Sequence, residues 1–481
     1  MSVSSKSILS SFIWKYLERS SVQIVSFIVS IILARILSPE DYGSIALVLV
    51  FTNIASVFIE GGFNSALIQK KNCSQEDYSS IFYISILVAL VVYILIFFFA
   101  PFFGHFYRNS ELCLVLRVIG IGLFFNVVNS IQNAYVSKQL LFRKLFVSSF
   151  AGVLISAIIG ISMAYYGYGI WALVVQYLVS SFSIMVVMWF TVKWRPVKIL
   201  SIQRFKSLFQ YGWKIMVTNM TISLFTNIRS LIIGKVFTPS ALAFFDRGKQ
   251  FPSVIMDNII ASIQSVMFPV LSNEQDSLIK IKSMMRRSIT ISSYLIFPLL
   301  TGLLVISKPL VILLLTEKWI EAVPFIRIFC IALILMPIQN INMVAIKSIG
   351  YSDITLKLEL LKKVLEVSIL IITVFISVKA IAWGVVVYNL SCLFINLYPC
   401  KKLINYSYKE QLSDICPILF CSIVMGVGVY CLSFIPLGNL PLIVLSVVLG
   451  ILLYLSMSMI FKLETYQYIV SMMKNLKNNK D

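Results

Sequence analysis

Apolar runs of about 18 or more residues recur along the whole chain, and they constrain its fold more than any other feature. A helix of that length crosses the ~30 Å hydrocarbon core of a bilayer. With 59% hydrophobic and only 12% charged residues, the 481-residue chain lacks the balance of a soluble globular protein. A membrane β-barrel would instead show alternating segments of about ten residues. The sequence therefore predicts an all-α polytopic membrane protein with about 14 transmembrane helices.

Lysine and arginine are distributed unevenly between the predicted loops. With the N-terminus placed inside, the inner segments carry 28 of the 40 Lys and Arg residues, and the outer loops carry 8. Such a bias is the positive-inside signal, which places both termini in the cytoplasm. The formal net charge of +20 therefore reflects topology and attraction to an anionic leaflet, and nucleic acid is not expected as a partner.

Four short motifs occur twice in the same order, about 200 residues apart. The clearest is ARILSPEDYG, from Ala34 to Gly43, which matches GKVFTPSALA, from Gly234 to Ala243. The other pairs begin at Trp14 and Trp213, at Ser130 and Pro337, and at Gly169 and Ala380. We interpret the first six spans and the next six as two copies of one unit. Because six is even, both copies share one orientation, a parallel pseudo-twofold repeat that is typical of transporters.

This repeat predicts the domain organisation. Each copy forms a six-helix lobe, and a basic inner loop separates the two lobes. Two more helices follow, and the chain ends in a basic cytoplasmic tail. The predicted boundaries are 1–192 for the N-terminal lobe, 193–205 for the linker, 206–400 for the C-terminal lobe, 401–461 for the additional helices and 462–481 for the tail.

Polar stripes run along the first and fourth helices of the copies. In the first span, Arg19 and Gln23 follow Lys15 at a spacing of four, which places them on one helix face. Ser and Thr at such positions are often glue between membrane helices, whereas doubled asparagine stripes favour a water-filled cavity. Ionisable side chains inside spans are functional candidates by default, but snorkelling beside an interfacial Trp explains Lys15 and Lys214 equally well.

These patterns give candidate residues for a polar, cationic cavity. Guanidinium groups bind phosphate bidentately, and we expect amides and hydroxyls to bind sugar hydroxyls. Glu60 and Asp257 lie in the second helices of the two copies, where they are candidates for neutralising a buried Arg or for ion coupling. The candidates for substrate binding are Arg19, Gln23, Arg117, Asn126, Asn129, Asn133, Asn219, Asn227, Arg229, Arg327, Gln339 and Asn340.

Motifs of enzymes and cofactors are missing from the sequence. It contains no GxSxG, P-loop, HExxH or Gly-rich dinucleotide turn. Eight cysteines lie mostly inside apolar runs without CxxC spacing, so neither a disulfide framework nor a metal site is expected. We therefore predict a transporter without catalytic residues, cofactor or metal.

Six stretches, spread over almost the whole chain and including copies of the repeated motifs, carry a family resemblance. They are Trp14-Lys15, ARILSPEDYG, ALIQK (Ala66 to Lys70), GYGIWALV (Gly167 to Val174), FDRGKQFPSVIMDNI (Phe245 to Ile259) and TEKWIEAVPF (Thr316 to Phe325). Together they resemble the polysaccharide transporters of the MOP superfamily, and especially the Wzx-type flippases of lipopolysaccharide, O-antigen, capsule and exopolysaccharide synthesis. These stretches lie mostly at helix ends and in loops, so they carry over no substrate-binding residue.

The resemblance implies a two-lobed fold around a central cavity in the bacterial inner membrane. It also implies export of undecaprenyl-diphosphate-linked oligosaccharide from the cytoplasmic to the periplasmic leaflet, by alternating access. In related lipid II flippases the last two helices form a groove for the lipid tail, and residues 401–461 are placed to do the same. The expected partners are a lipid-linked oligosaccharide, membrane lipids and other polysaccharide-assembly membrane proteins.

Two other functions stay open at this point. A MATE-like multidrug or cation antiporter of the same superfamily would share the architecture, but it requires deep carboxylates and an apolar or acidic pocket. Here the cationic candidates outnumber the acidic ones, which counts against an antiporter. A polytopic glycosyltransferase would require a soluble catalytic loop, and no predicted loop is long enough.

Overall fold

The computed structural model describes residues 5–71, 73–468 and 470–471, and every regular element in these ranges is a helix. Two short 3-10 helices, Glu317–Ala322 and Leu432–Phe434, accompany the α-helices. Residues 472–481 of the predicted basic tail lie outside the described residues. The α-helices are α1 (Ser5–Ile36), α2 (Pro39–Glu60), α3 (Phe63–Gln69), α4 (Gln75–Phe106), α5 (Glu111–Gly120), α6 (Gly122–Lys138), α7 (Phe142–Tyr165), α8 (Ile170–Thr191), α9 (Ile202–Val236), α10 (Pro239–Asn273), α11 (Leu278–Leu315), α12 (Val323–Leu333), α13 (Met336–Ser348), α14 (Ser352–Val374), α15 (Val378–Ile404), α16 (Tyr408–Cys431) and α17 (Asn439–Ile460).

Among the described residues, 12 helices or helix pairs are long and apolar enough to cross a membrane. The predicted fold class, an all-α multi-pass membrane protein, is thereby confirmed. The count of fourteen stays a prediction, because α9 and α14, predicted as spans 206–235 and 355–377, are not among the twelve. Both are long enough to cross, but α14 carries six charged side chains and α9 carries a polar stripe.

By its internal contacts the chain divides into two compact units, Met1–Ala243 and Phe244–Asp481. The repeat assigns α9 to the second copy, yet α9 packs within the first unit against α2, α3 and α4. In the second unit, α11 is the central helix and contacts α12, α13, α16 and α17. The predicted lobe boundary at 193–205 was derived from the sequence repeat, whereas the two units are defined by contacts. The boundary therefore stays a prediction.

The fourth span of each predicted copy is broken at the same place. In the first copy the break separates α5 from α6 at Ile121, and in the second it separates α12 from α13 at residues 334–335. Pro337 near the start of α13 has no N–H to continue the preceding helix. The two breaks are about 213 residues apart, and each lies shortly before the repeated motif that begins at Ser130 or Pro337.

Glycines allow α9 to approach α2 and α3 closely within the first unit. A Cβ at Gly62 would lie 2.3 Å from the carbonyl oxygen of Gly212, and one at Gly234 would lie 2.2 Å from Leu47. Gly43, near the start of α2, is in contact with the backbone of Pro239. The two copies of the repeated motif, ARILSPEDYG and GKVFTPSALA, therefore touch each other directly.

A buried carboxylate ties the first turn of α4 to the start of α9. The Asp77 side chain is fully buried and accepts from Lys70 Nζ at 2.9 Å, from Arg204 Nη1 at 3.2 Å and from the Ser74 amide at 2.8 Å. Its neighbour Glu76 also pairs with Arg204, at 2.6 Å, but is 39% exposed. Charge-assisted hydrogen bonds to a buried carboxylate are worth more than exposed ion pairs. Asp77 is therefore the centre of this network.

Replacing Asp77 by Ala is expected to destabilise the protein by about 2–4 kcal/mol, because two cations and an amide lose a buried partner. The measurement is thermal unfolding of the detergent-solubilised chain. Glu76→Ala is the matched control and should cost less than about 1 kcal/mol. Equal losses from the two substitutions would contradict the assignment of Asp77 as the centre of the network.

Candidate functional site

The polar stripes of α1 and α9 are poorly covered by the rest of the structure. None of residues 13–28 of α1 and none of residues 213–232 of α9 is buried. Arg19 and Asn219 are exposed and Gln23 is half-buried. None of these three side chains forms a hydrogen bond within the described ranges. Polar groups left uncovered on membrane-length helices require water or a polar ligand. The stripes of α1 and α9 are therefore accessible to water or to a polar ligand.

Two further hydrogen-bond donors of the α9 stripe are satisfied within their own helix. Thr226 donates to the Ile222 carbonyl and Asn227 to the Ser223 carbonyl, both at 2.8 Å. Such local bonds leave the hydroxyl and amide oxygens as acceptors for a ligand. Arg229 is half-buried on the same helix, and Asp257 is exposed on α10.

The asparagines of α6 mainly join helices. Asn126 donates to the Tyr177 hydroxyl at 3.3 Å and Asn129 to the Ser181 carbonyl at 3.0 Å, so both bind α8. Asn133 accepts from Ser137 in its own helix at 3.2 Å. Asn126 and Asn129 therefore form hydrogen bonds between helices, whereas the sequence led us to expect that they line a cavity.

Gln339 and Asn340 on α13 are also engaged. The Gln339 side chain is buried and donates to the Asn389 carbonyl at 2.8 Å. Asn340 accepts from Gln264 at 2.9 Å and donates to the Met336 carbonyl. A buried, satisfied amide is unavailable to a ligand, whereas Asn340 remains half-buried with its neighbour Gln264 exposed.

Arg117 and Arg327 each donate a hydrogen bond from Nε to the preceding long helix. Arg117 Nε donates to the Phe97 carbonyl at 3.1 Å, and its guanidinium lies 4.3 Å from the Phe97 ring centroid. That carbonyl lacks its helical partner because Pro101 has no N–H. Arg327 Nε donates to Ser307 Oγ at 3.0 Å, again across 20 residues of sequence. Both arginines thus stabilise helix contacts, a role that the sequence pattern did not indicate.

Glu60 borders a small cavity in the first unit. It stands at the end of α2, where Gly61 and Gly62 adopt left-handed φ values of 53° and 70° and break the helix before α3. The cavity, about 10 Å³ in volume, is also lined by Asn64, Ser85 and Ser130. Asn64 Oδ1 is buried and has no hydrogen-bond partner in the described structure. A carboxylate, an amide oxygen and two hydroxyls are the oxygen ligands that a small cation or a water requires.

An apolar groove about 510 Å³ in volume lies in the second unit. Its walls come from α11, α16 and α17, with Ile255 of α10 at one side. Pro298 and Gly302 are four residues apart on one face of α11, and a Cβ at Gly302 would meet nothing within 4 Å. The missing side chain keeps the groove open at this point.

Two tyrosines close one end of this groove. The rings of Tyr294 and Tyr454 lie 5.0 Å apart, and the Tyr454 hydroxyl donates to the Tyr294 carbonyl at 2.9 Å. The Tyr294 hydroxyl in turn donates to Ser458. With its polar atoms satisfied in this way, the groove presents hydrocarbon to any occupant. We expected the groove in residues 401–461 but missed its α11 wall, for which Pro298 and Gly302 were the available signal.

The described parts of the chain contain no cluster of side chains suited to hold a metal ion. No group of three or more His, Cys, Asp or Glu side chains there is close enough to hold a metal ion. The eight cysteines are free thiols, four of them buried.

Relatives of known role share most of the length of this chain. The succinoglycan biosynthesis transport protein ExoT of Rhizobium meliloti is 20% identical over 419 residues, which cover 87% of this chain and 83% of that protein. The teichuronic acid biosynthesis protein TuaB of Bacillus subtilis is 22% identical over 352 residues, or 73% of each chain.

Solved transporter structures share the fold. The lipid II flippase MurJ in its inward closed conformation superposes with a TM-score of 0.74 at 16% identity, covering 97% of this chain and all of that chain. An inward-facing MATE family transporter of the MOP superfamily gives a TM-score of 0.63 at 15% identity, covering 81% and 98%. The sequence profile of a family described as polysaccharide biosynthesis proteins matches residues 32–324, more than half of the chain. The protein therefore belongs to this polysaccharide biosynthesis family, as its motifs predicted.

Proposed function

We propose that this protein flips a polyprenyl-diphosphate-linked oligosaccharide from the cytoplasmic to the outer leaflet of a bacterial inner membrane, by alternating access. The apolar groove of α11, α16 and α17 is the observation that carries the proposal, since transport of a free sugar would not require it. The groove holds the polyprenyl chain. The uncovered polar stripes of α1 and α9 bind the sugars and the diphosphate.

The membrane potential favours export of such a substrate. A diphosphate of charge −2 that leaves a negative cytoplasm gains roughly 4–5 kcal/mol at 100 mV, from about 2.3 kcal/mol per charge. The cationic candidate Arg19, exposed on α1, then has to release the head group on the outer side. Alternating access permits this release because the lobes change the environment of a fixed site.

Reconstitution tests the proposal directly. The purified chain in proteoliposomes should move a fluorescent polyprenyl-diphosphate oligosaccharide to the opposite leaflet at least about tenfold faster than protein-free vesicles. A polyprenyl chain shortened to the length of one isoprene unit should be transported poorly, because it cannot occupy the groove. Transport of cationic dyes in the same vesicles, without movement of the lipid-linked sugar, would favour the MATE-like antiporter, whose fold this chain shares.

Glu60 tests whether transport is also coupled to a cation. Glu60→Gln keeps the shape of the side chain but removes its charge, so we expect flipping driven by an imposed H⁺ or Na⁺ gradient to fall about tenfold. Flipping driven by membrane potential alone should persist. Glu40→Gln is the matched control, an exposed carboxylate in the first turn of the same helix. Unchanged dependence on both gradients in Glu60→Gln would exclude coupling at this residue.

A further inference from the structure

A second cleft, separate from the polar stripes and the apolar groove, opens in the first unit where α4 ends and α5 begins. Its volume is about 940 Å³. His105 and Arg108 lie on one side, and Lys235 reaches it from the end of α9, more than a hundred residues along the chain. No Asp or Glu is among the residues that line it, and Glu111, the first residue of α5, is outside this set. The cleft is therefore basic.

The turn that carries Arg108 is held in a strained conformation. Arg108 has a φ of 54°, in the left-handed region where Gly or Asn is the easier choice. Asn109 fixes the turn, because its Nδ2 donates to Ser44 at 3.2 Å and its Oδ1 accepts from the Glu111 amide at 3.0 Å. The exposed guanidinium of Arg108 has no hydrogen bond or ion pair within the described structure. A strained residue whose exposed charge is not paired with another protein group is a candidate for ligand binding.

Lys235 is directed toward the same cleft by an aromatic ring. Its Nζ lies 3.8 Å from the centroid of Phe106 and donates to the carbonyl of that residue at 2.5 Å. An ammonium group has three donors, so two remain for a ligand. Phe106 stacks on Phe102 at 6.1 Å, and Phe102 is 62% exposed. The cleft therefore combines two cations, of which Lys235 is held by Phe106, with an exposed apolar surface.

The position of these cations is unusual for a membrane protein. The predicted outer loops contain only 8 of the 40 Lys and Arg residues, as the positive-inside rule requires. Arg108 and Lys235 are two of those eight, and both line a cleft that is also lined by the only histidine in the sequence. Chance placement of sparse outer cations does not readily bring two of them to one cleft from distant parts of the sequence.

We propose that this cleft is an exit site that binds the diphosphate head group of the lipid-linked product on the outer side of the membrane. The inference rests on the proposed function and adds to it a binding site whose lining is separate from the polar stripes and the apolar groove. Arg108 offers a planar fork and Lys235 a point charge, which together match the charge of −2 on a diphosphate better than the single charge of a phospholipid phosphodiester. The exposed face of Phe102 covers the first isoprene units or a sugar ring.

Cys113, which lines the cleft and is half-buried, provides a local reporter. In a background with Cys73, Cys416 and Cys431 replaced by Ser, the remaining thiols other than Cys113 are buried. The full chain is placed in phosphatidylcholine nanodiscs and alkylated with a maleimide in the presence of geranylgeranyl diphosphate. We expect the diphosphate to slow alkylation of Cys113, and geranylgeranyl monophosphate to require a higher concentration for the same effect.

The double variant Arg108→Gln with Lys235→Gln should raise the half-protection concentration about tenfold or more, because it removes two charge-assisted contacts. Lys379→Gln, an exposed lysine on another predicted outer loop, is the control and should behave like the parent. Unchanged protection in the double variant overturns the proposal, as does equal protection by phosphatidylglycerol added to the nanodiscs. Protection is measured without transport, so failure of the exit site and failure of flipping by the parent chain are separate results.

Discussion

Replacing Gly302 by Trp is expected to reduce flipping of the lipid-linked oligosaccharide about tenfold or more, while the protein remains folded. Gly302 lies on the wall of the apolar groove, and a Cβ there meets nothing within 4 Å. The Cβ of a tryptophan at this position therefore enters open space, and its indole projects into the groove. It occupies the space that we assign to the polyprenyl chain. The measurement is initial flipping rate in proteoliposomes, together with surface polysaccharide in a strain that depends on this protein.

Two substitutions separate groove blockage from other effects. Gly302→Ala should transport like the parent and be stabilised by about 0.5–1 kcal/mol, because alanine is the better helix former and the site is open. Val427→Trp places the same indole on α16, where Val427 is 58% exposed but does not line the groove. If Gly302→Trp flips at a rate within twofold of Val427→Trp, the groove does not hold the lipid chain.

The helices and their approximate ends could be predicted because hydrocarbon imposes a length and a composition on every spanning segment. The exceptions are instructive. The polar helices α9 and α14 are helical as predicted but do not have the apolar, weakly charged composition of the twelve spans. Whether a polar helix can lie in a membrane depends on which neighbouring helices cover its polar residues. Tertiary packing determines this, and local composition does not.

The candidate site could be predicted less well, because a polar residue in a span has two roles that look identical in sequence. Asn126 and Asn219 both belong to regular stripes, yet Asn126 binds Tyr177 of α8 whereas Asn219 is exposed and makes no hydrogen bond among the described residues. Arg117 looked like a cavity cation, but Pro101 frees a carbonyl that Arg117 then satisfies. Only the position of the neighbouring helix distinguishes these cases.

Gly43→Ala is the second substitution for which we expect a large effect, a loss of about 1–3 kcal/mol in stability together with impaired flipping. The new Cβ would lie 1.8 Å from the carbonyl oxygen and 2.2 Å from the carbonyl carbon of Pro239. These are backbone atoms, so no side-chain rotation relieves the clash, and the start of α2 must move away from the start of α10. The measurement is the thermal midpoint of unfolding in detergent, followed by flipping in proteoliposomes.

Gly234→Ala and Gly302→Ala complete this experiment. The three atoms nearest to a Cβ at Gly234 all belong to the Leu47 side chain, at 2.2 to 2.9 Å. A side chain can shift where a backbone cannot, so the loss should be smaller than for Gly43→Ala. Gly302→Ala should cause none. The expected order of thermal midpoints is therefore Gly302→Ala highest, then Gly234→Ala, then Gly43→Ala. Equal midpoints would mean that the two copies of the motif do not form a fixed contact. The expected order would show that the repeat in the sequence marks the place where α2 is held against the end of α9.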